Sequence, residues 1–150
     1  MKLKNILKRK GYVAIKMKRL KTNHFRIKVK INGKKGKFIL DTGASNSCID
    51  IKDAALFGLE AQSSNNLASG AGATNMETEE SHQNTIKLGD WKFKNFHLVL
   101  FDLSHVKQAL IQHGEPDIDG IIGADILQKG KAIIDYNKNR LYLKKLVYKY

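Results

Sequence analysis

Apolar and polar residues alternate along much of the chain, which is the pattern of half-buried β-strands. The segments 13–17 and 25–31 carry an apolar side chain at every second position. A period of two places those side chains on one face of an extended strand. Asn32-Gly33 and Lys35-Gly36 follow the second segment. They predict a turn that leads into another strand, which ends near Asp41.

The second half of the chain continues this pattern. A dense apolar run from Trp91 to Phe101 predicts a long strand. The segment 132–143 reads as a hairpin around Asn137-Lys138-Asn139. Helical spacing is confined to short stretches, namely a basic segment that stops at Gly11 and the segments 51–57 and 105–113. The pattern therefore predicts a mainly β domain with few short helices.

Residues 63–85 break the pattern, because they are polar and rich in Ser, Asn and Gly. A plain loop of this length is unusual inside a compact domain. The run Ala68-Ser69-Gly70-Ala71-Gly72-Ala73 lies within it and is too rich in small residues to form core. Its glycines do not form a phosphate loop, since no Lys-Ser or Lys-Thr follows them. A surface loop is one interpretation of the segment.

Length and charge set the class of protein. The 150 residues correspond to one domain. The formal net charge is +13, and 15 of the 27 basic residues precede Asp41, with no acidic residue before it. Such an asymmetry indicates either a surface for nucleic acid or membrane, or a solvated lysine-rich face. We favour the solvated face, because few aromatic residues lie among the lysines and no nucleic-acid motif accompanies them.

No targeting or cofactor signal is visible. The first twenty residues never run to more than three apolar residues in a row, so they predict neither a signal peptide nor a membrane span. A single cysteine, Cys48, excludes an internal disulfide. Together these features predict the cytoplasm, with Cys48 as a buried, unreactive side chain. The five histidines are scattered along the sequence, so we expect no metal and no cofactor.

The segment Phe38-Ile39-Leu40-Asp41-Thr42-Gly43-Ala44-Ser45 carries the candidate chemistry. A carboxylate between an apolar strand and a glycine turn is an unusual place for a charge, because a buried charge needs partners. Thr42 and Ser45 offer hydroxyls, and Gly43 leaves backbone N–H groups open to a neighbour. The plain interpretation is a strand that ends in an Asx-type turn. The alternative is a functional carboxylate at Asp41.

A second segment, Asp119-Gly120-Ile121-Ile122-Gly123-Ala124-Asp125-Ile126-Leu127, favours the functional interpretation. Glycine within a strand usually marks a close approach of two backbones. The two segments, in this order and at this spacing, resemble the retropepsin-like aspartic proteases. The resemblance covers roughly residues 25–145. It implies an all-β, single-domain acid-protease fold, a closed β-barrel type with one or two short helices. Residues 25–150 would form this domain, and residues 1–24 a basic N-terminal extension.

The resemblance also implies a site. Asp41 is the catalytic residue, and the chain has only one such motif, so a second carboxylate must come from a second copy. Thr42 would reach the partner's backbone, Gly43 and Ala44 would contact the substrate backbone, and Ser45 would support the dyad. Gly70, Ala71 and Gly72 would lie in a mobile flap hairpin over a peptide or protein substrate. One departure is visible, because Ala124 stands where viral enzymes often carry Arg.

Two other classes stay open at this point. One is a non-catalytic peptide-binding module on the same fold, with Asp41 kept for structure. An intact Asp-Thr-Gly-Ala-Ser argues against it, because a binding module does not need this carboxylate. The other is a basic nucleic-acid-binding protein, whose affinity would fall steeply with salt.

Overall fold

A computed structural model describes residues 2–70, 73–115 and 117–146, with the backbone alone for 63–70 and 73–77. The described residues form eleven β-strands, three short α-helices and one 3-10 turn. In chain order these are α1 (Leu3–Arg9), β1 (Tyr12–Lys16), β2 (Lys18–Arg19), β3 (Phe25–Ile31), β4 (Lys34–Leu40), β5 (Cys48–Asp50), the 3-10 turn (Ile51–Asp53), β6 (Gln62–Gly70), β7 (Ala73–Leu88), β8 (Trp91–Phe101), α2 (Ser104–Gln112), β9 (Gly120–Ile122), α3 (Ala124–Lys129), β10 (Ile133–Asp135) and β11 (Arg140–Lys144).

Six of the strands close into a barrel. They follow the order β3-β4-β9-β5-β8-β7, and β7 returns to β3 through the pairs Lys30–Lys87 and Ile31–Ile86. Closure removes the exposed edges of those strands, which are otherwise a liability for aggregation. β2 and β6 extend the sheet outside the ring. The predicted closed, mostly β fold is confirmed.

A second, three-stranded sheet has the order β1-β11-β10. β1 pairs antiparallel with β11 over five residues, from Tyr12–Lys144 to Lys16–Arg140. Ile15 and Met17 are buried in the same core as the barrel strands. Part of the basic N-terminal stretch therefore packs with the C-terminal strand, and the domain boundary at residue 25 stays a prediction.

The core lies inside the barrel and follows the alternation of the strands. β3 shows it plainly, since every second residue from Phe25 to Ile31 is buried. β4 ends differently, because Phe38, Ile39 and Leu40 are all buried. Phe38 and Leu40 join the main core, whereas Ile39 packs beneath α2 with Leu110. A strand covered on both faces has a continuous apolar sequence, which is why this one reads as an unbroken run.

Local predictions hold with two corrections. Asn32 and Gly33 do form the predicted turn, with φ of 51° and 83°, values that suit a two-residue hairpin. Lys35-Gly36, predicted as part of the turn, lies inside β4 and pairs with β3 instead. The predicted helix at 51–57 is only a 3-10 turn over Ile51–Asp53, followed by hydrogen-bonded turns. Tertiary packing decided both points, since the local sequence permits either outcome.

The polar segment 63–85 is mainly a two-stranded ribbon. β6 and β7 pair antiparallel from Gln62–Glu80 to Gly70–Ala73, with two register irregularities. Beyond this ribbon β7 continues into the barrel, where it pairs with β8. Within the described ranges, no helix is both long and apolar enough to span a bilayer.

Candidate active site

Asp41 is the first residue after β4 and is held by the neighbouring strand. β4 runs parallel to β9, with Leu40 opposite Ile122. The backbone N–H of Asp41 then donates to the carbonyl of Ile122 at 2.9 Å. This bond continues the ladder by one residue, so the end of the barrel strand fixes where the carboxylate begins.

The turn after Asp41 closes on the carboxylate itself. The N–H of Gly43 donates to Oδ1 of Asp41 at 2.9 Å, and the N–H of Ala44 donates to the Asp41 carbonyl at 3.2 Å. A Cβ at position 43 would lie 3.3 Å from that Oδ1, so glycine gives the carboxylate room. Asp41, Thr42 and Ser45 are exposed in the single chain. The Asx-type turn that the sequence predicted is therefore present, and the exposed carboxylate of Asp41 is part of it.

The second motif braces this turn from behind. A Cβ added at Gly123 would lie 2.6 Å from the carbonyl oxygen of Ala44, closer than real Cβ contacts allow. Ala124 N–H donates to the same Ala44 oxygen at 2.7 Å. The close approach predicted for this glycine is therefore present, and it joins the Asp41 turn to the start of α3.

Ser47 and Asp125 complete the connection, and sequence reasoning missed both. Ser47 is fully buried, and its hydroxyl donates to Asp125 Oδ1 at 2.7 Å while it accepts the N–H of Gly123 at 2.9 Å. The Ser47 N–H donates to Asp125 Oδ2 at 2.8 Å. The signal in the sequence was Asp125 itself, an acidic residue two positions after Gly123. Ser45, to which the resemblance gave a supporting role, is exposed in the single chain, and that role stays a prediction.

Cys48 follows directly and is buried, as expected for an inert side chain. Burial away from water raises the pKa of its thiol to about 12, because the thiolate would lose its solvation. The residue packs with Phe101, Leu103 and Ile121. It belongs to the support of the site, and its burial and raised pKa are those of a structural, unreactive cysteine.

A cavity of about 540 Å³ opens beside Asp41. Its wall includes apolar side chains from β4, β9 and α2, and basic or polar groups from the β2–β3 connection and both ends of α2. The lining residues are Lys21, Thr22, His24, Ile39, Asp41, His105, Val106, Ala109, Leu110, His113 and Ile121. A larger cavity of about 690 Å³, whose lining includes four lysines of β3 and β4, shares none of these residues. Only the smaller one adjoins the candidate carboxylate.

Lys107 anchors α2, which forms one wall of this cavity. Its Nζ lies 2.7 Å from Oδ2 of the fully buried Asp50 and 3.3 Å from Asp53. Burial by itself lowers the pKa of Lys107, but the hydrogen bond and charge of Asp50, together with the charges of Asp53 and Asp117, outweigh it, so the pKa is raised. For nearby Asp119, burial raises the pKa of the carboxyl. The hydrogen bond that this carboxylate accepts from the Lys37 N–H lowers the pKa by less.

The remaining predicted residues lie on the ribbon. Gly70 is the last residue of β6 and pairs with Ala73 of β7. Ala71 and Gly72 lie outside the described residues. A ribbon therefore exists where the flap was predicted, and its closure over substrate stays a prediction.

Two histidines that are distant in sequence are neighbours in the sheet. His82 lies on β7 and His97 on β8, with ring centroids 4.6 Å apart. Glu80 lies beside both of them. Sequence spacing could not reveal this group, because the pairing of β7 with β8 brings it together.

The chain is similar in fold to several solved proteases. A retropepsin-like aspartic protease from Rickettsia conorii matches with a TM-score of 0.60 and 24% identity, covering 90% of this chain and 91% of that one. The EIAV protease in complex with the inhibitor HBY-793 gives 0.53 and 24%, covering 73% and 90%. The retroviral protease-like domain of Ddi1 from Leishmania major gives 0.53 and 20%, covering 81% and 88%. A search of curated proteins gives no match.

Family membership rests on the sequence itself. The model of the aspartyl protease family matches residues 27–126, which include the Asp41 turn, the ribbon and the Gly123 segment. That span is two thirds of the chain and contains the barrel strands except for the first two residues of β3. The chain therefore belongs to the aspartyl protease family, in its single-domain, retropepsin-like form.

Proposed function

We propose that this protein is a homodimeric aspartic endopeptidase, with a catalytic dyad formed by Asp41 of each of two identical chains. The observation that carries the proposal is the exposed carboxylate of Asp41. Its turn is held from behind by the Gly123 segment and by buried Ser47. An exposed Asp41 at the end of a barrel strand is half of a two-carboxylate site. Membership of the aspartyl protease family supports the chemistry, and the single Asp-Thr-Gly motif supports two chains per site.

The proposed chemistry needs no metal. Two carboxylates about 3 Å apart share one proton, because both cannot ionise together. The ionised member removes a proton from a water molecule, whose oxygen attacks the peptide carbonyl carbon. The protonated member gives its proton to the carbonyl oxygen. When the tetrahedral intermediate breaks its C–N bond, a proton passes to the leaving nitrogen. General acid–base catalysis supplies roughly 10²–10⁴ of the rate, and positioning and electrostatics supply the rest.

The neighbouring residues have proposed roles. Thr42, exposed on the turn, reaches the backbone of the partner chain and locks the dyad. Gly43 and Ala44 contact the substrate backbone, and Ser45 supports the turn at the dimer interface. Gly70, with Ala71 and Gly72, belongs to the flap, which closes on the bound peptide.

The cavity beside Asp41 is the proposed site for a substrate side chain. Ile39, Val106 and Leu110 supply apolar contact next to the carboxylate. Lys21, His24, His105 and His113 line the same cavity, so a substrate side chain with an apolar body and a polar or acidic end fits its chemistry. A protein or peptide substrate is thus the proposed partner.

Peptide hydrolysis by wild type and Asp41→Asn tests the proposal. Asn has the shape of Asp but cannot share the proton, so cleavage of a peptide mixture should fall at least about a thousandfold. Matching thermal unfolding curves would show that the variant is folded. Equal cleavage by both proteins, after purification from contaminating proteases, would reject the aspartic mechanism.

The basic side chains give a second candidate function, the binding of a polyanion. Lys28, Lys30, Lys35, Lys37 and Lys87 line the larger cavity. Binding of a duplex oligonucleotide at two salt concentrations tests it. A true polyanion site loses affinity steeply with salt and loses it again in a Lys30→Gln/Lys37→Gln variant.

A protein that binds peptides, does not cleave them and is unchanged by Asp41→Asn would be a non-catalytic module.

A further inference from the structure

Glu80, His82 and His97 form a compact group, and none of them lines the cavity beside Asp41. Oε2 of Glu80 lies 3.4 Å from Nε2 of His82 and 3.5 Å from Nε2 of His97. One nitrogen or oxygen atom from each of the three residues lies within 4.8 Å of the others. The side chains are 24%, 51% and 38% exposed, respectively, so an ion from solution can reach them.

Strand geometry explains why the three side chains meet. Glu80 and His82 are two positions apart on β7, and residues at that spacing share a face. β8 is the adjacent strand, where Leu98 pairs with Ser81 and Phe96 pairs with Asn84. His97 therefore lies opposite the segment 82–83, on the same outer face.

A bulge holds this arrangement in place. Between the two pairs just named, β7 has two residues where β8 has one, and Gln83 absorbs the extra residue with a φ of 62°. Buried Asn84 fixes the bulge, since its side-chain amide donates to Ser81 Oγ at 3.0 Å and its carbonyl accepts from Asn32 at 2.9 Å. The face that carries His82 is therefore built on a satisfied polar network.

The spacing of the donor atoms matches a tetrahedral metal site. Zn²⁺ binds imidazole nitrogen and carboxylate oxygen at about 2.0–2.2 Å, so two ligands of one ion stand roughly 3.4 Å apart. The two separations from Glu80, 3.4 and 3.5 Å, lie close to this value. We propose that Glu80, His82 and His97 bind one divalent transition-metal ion of the zinc class, at a site separate from the dyad.

The donor set and the exposure define the ligand further. Two imidazoles and one carboxylate suit Zn²⁺, Ni²⁺ or Cu²⁺, whereas Mg²⁺ and Ca²⁺ prefer oxygen alone. Three protein ligands on an open face leave a fourth position for water. Glu80 also pairs with Gln62 of β6, so the site lies where the ribbon joins the barrel. A bound ion would tie β7 to β8 at that junction.

Calorimetric titration of the 150-residue chain with Zn²⁺, without a histidine tag, tests the proposal. The Asp41→Asn background removes the active-site carboxylate as a competing ligand, and Cys48 is buried and protonated. We expect one Zn²⁺ per chain and no heat from Mg²⁺ at the same concentration. His82→Ala and His97→Ala should each weaken binding at least about tenfold, as loss of a ligand does. His113→Ala, which removes a histidine outside the group, should bind as before.

Two further readouts do not depend on catalysis. Saturating Zn²⁺ should raise the midpoint of thermal unfolding by roughly 5–10 °C at a hundred times Kd, and the His82→Ala/His97→Ala variant should lose this rise. Amide exchange across residues 80–84 should slow with Zn²⁺. Absence of binding by the folded protein at 0.1 mM Zn²⁺ (about the upper limit for a specific site) overturns the proposal. Binding that survives in the double-histidine variant overturns it equally.

Discussion

At the scale of single residues, the site depends on a few buried polar contacts behind the exposed turn. The hydroxyl of Ser47 links the loop after Asp41 to the Gly123 segment, because it donates to Asp125 and accepts the Gly123 N–H. A buried N–H without an acceptor costs about 1–3 kcal/mol. The position of Asp41 is therefore coupled to a fully buried serine six residues away.

Ser47→Ala should lower the free energy of unfolding by about 1–3 kcal/mol, because it leaves the Gly123 N–H and the Asp125 carboxylate each one partner short. It should also lower peptide turnover through a looser turn. Ser45→Ala is the matched control on the same loop, and its exposed side chain should change stability by less than about 0.5 kcal/mol. Chemical unfolding of both variants measures the difference. Equal stabilities would contradict the role given to Ser47.

Cys48 predicts a loss of stability at alkaline pH. Its thiol has a pKa of about 12 in the folded chain, against 9.0 for an unperturbed thiol. The folded state therefore keeps a proton that the unfolded state releases. The contribution of this thiol to the free energy of unfolding is fully present below pH 9. It is lost as the pH rises toward 12, by about 1.4 kcal/mol per pH unit and about 4 kcal/mol in all.

The Cys48→Ala variant isolates this contribution. The pKa of Lys107 is also raised in the folded chain. The stabilisation by the Lys107–Asp50 pair is therefore also lost as the pH rises through the pKa of the folded lysine. Urea unfolding at several pH values should give a shallower alkaline slope for Cys48→Ala than for wild type. Parallel slopes would show that the thiol titrates alike in both states.

At the scale of elements, α2 is held by charge as well as by apolar contact. Lys107→Met should destabilise the protein by about 3–5 kcal/mol, since it leaves the carboxylate of Asp50 buried without a counter-charge. Adding Asp50→Asn removes that charge and keeps an acceptor for the Lys52 N–H, which Asp50 Oδ1 holds at 3.2 Å. The double variant should recover most of the loss. A double variant as unstable as Lys107→Met would contradict a charge-based anchor.

The β6–β7 ribbon has its own prediction. Gly70 ends β6 beside Ala73, and glycine permits backbone angles that other residues resist. Gly70→Val should reduce peptide turnover several-fold, because a closing ribbon completes the substrate contacts. Thermal stability should hardly change.

Hydrogen exchange checks the same ribbon without a substitution. Amides of residues 68–70 and 73–75 should exchange fast in the free protein and slow down with a peptide-mimicking aspartic-protease inhibitor. Amides that are already protected without the inhibitor, or that ignore it, would exclude a flap.

At the scale of the whole molecule, a half-site makes activity depend on assembly. Specific activity should fall on dilution below the dimer dissociation constant, because the proposed dyad would form only when two chains meet. Adding excess Asp41→Asn chains should suppress wild-type activity through mixed dimers. Constant specific activity through that dilution, with dissociation followed by ultracentrifugation, would contradict a site shared by two chains.

The sequence by itself determined the strands at 25–31 and 38–40, the position of the candidate carboxylate and the family. Strand alternation at 25–31 and the continuous run at 38–40 follow directly from which faces are buried, and burial is what a hydrophobic pattern records. The Asp41 turn and the Gly123 segment were readable because backbone geometry demands particular residues there. The Asn32-Gly33 turn was readable for the same reason.

Only the tertiary structure decided which distant residues meet. Ser47 and Asp125, Lys107 and Asp50, and the group at Glu80 lie on different elements, and contacts between elements leave no local period in a sequence. The ends of elements were also decided by packing, since Lys35-Gly36 could turn or pair and β3 made pairing the better choice. Short-range patterns report the environment of each residue, whereas its partners depend on how the barrel closes.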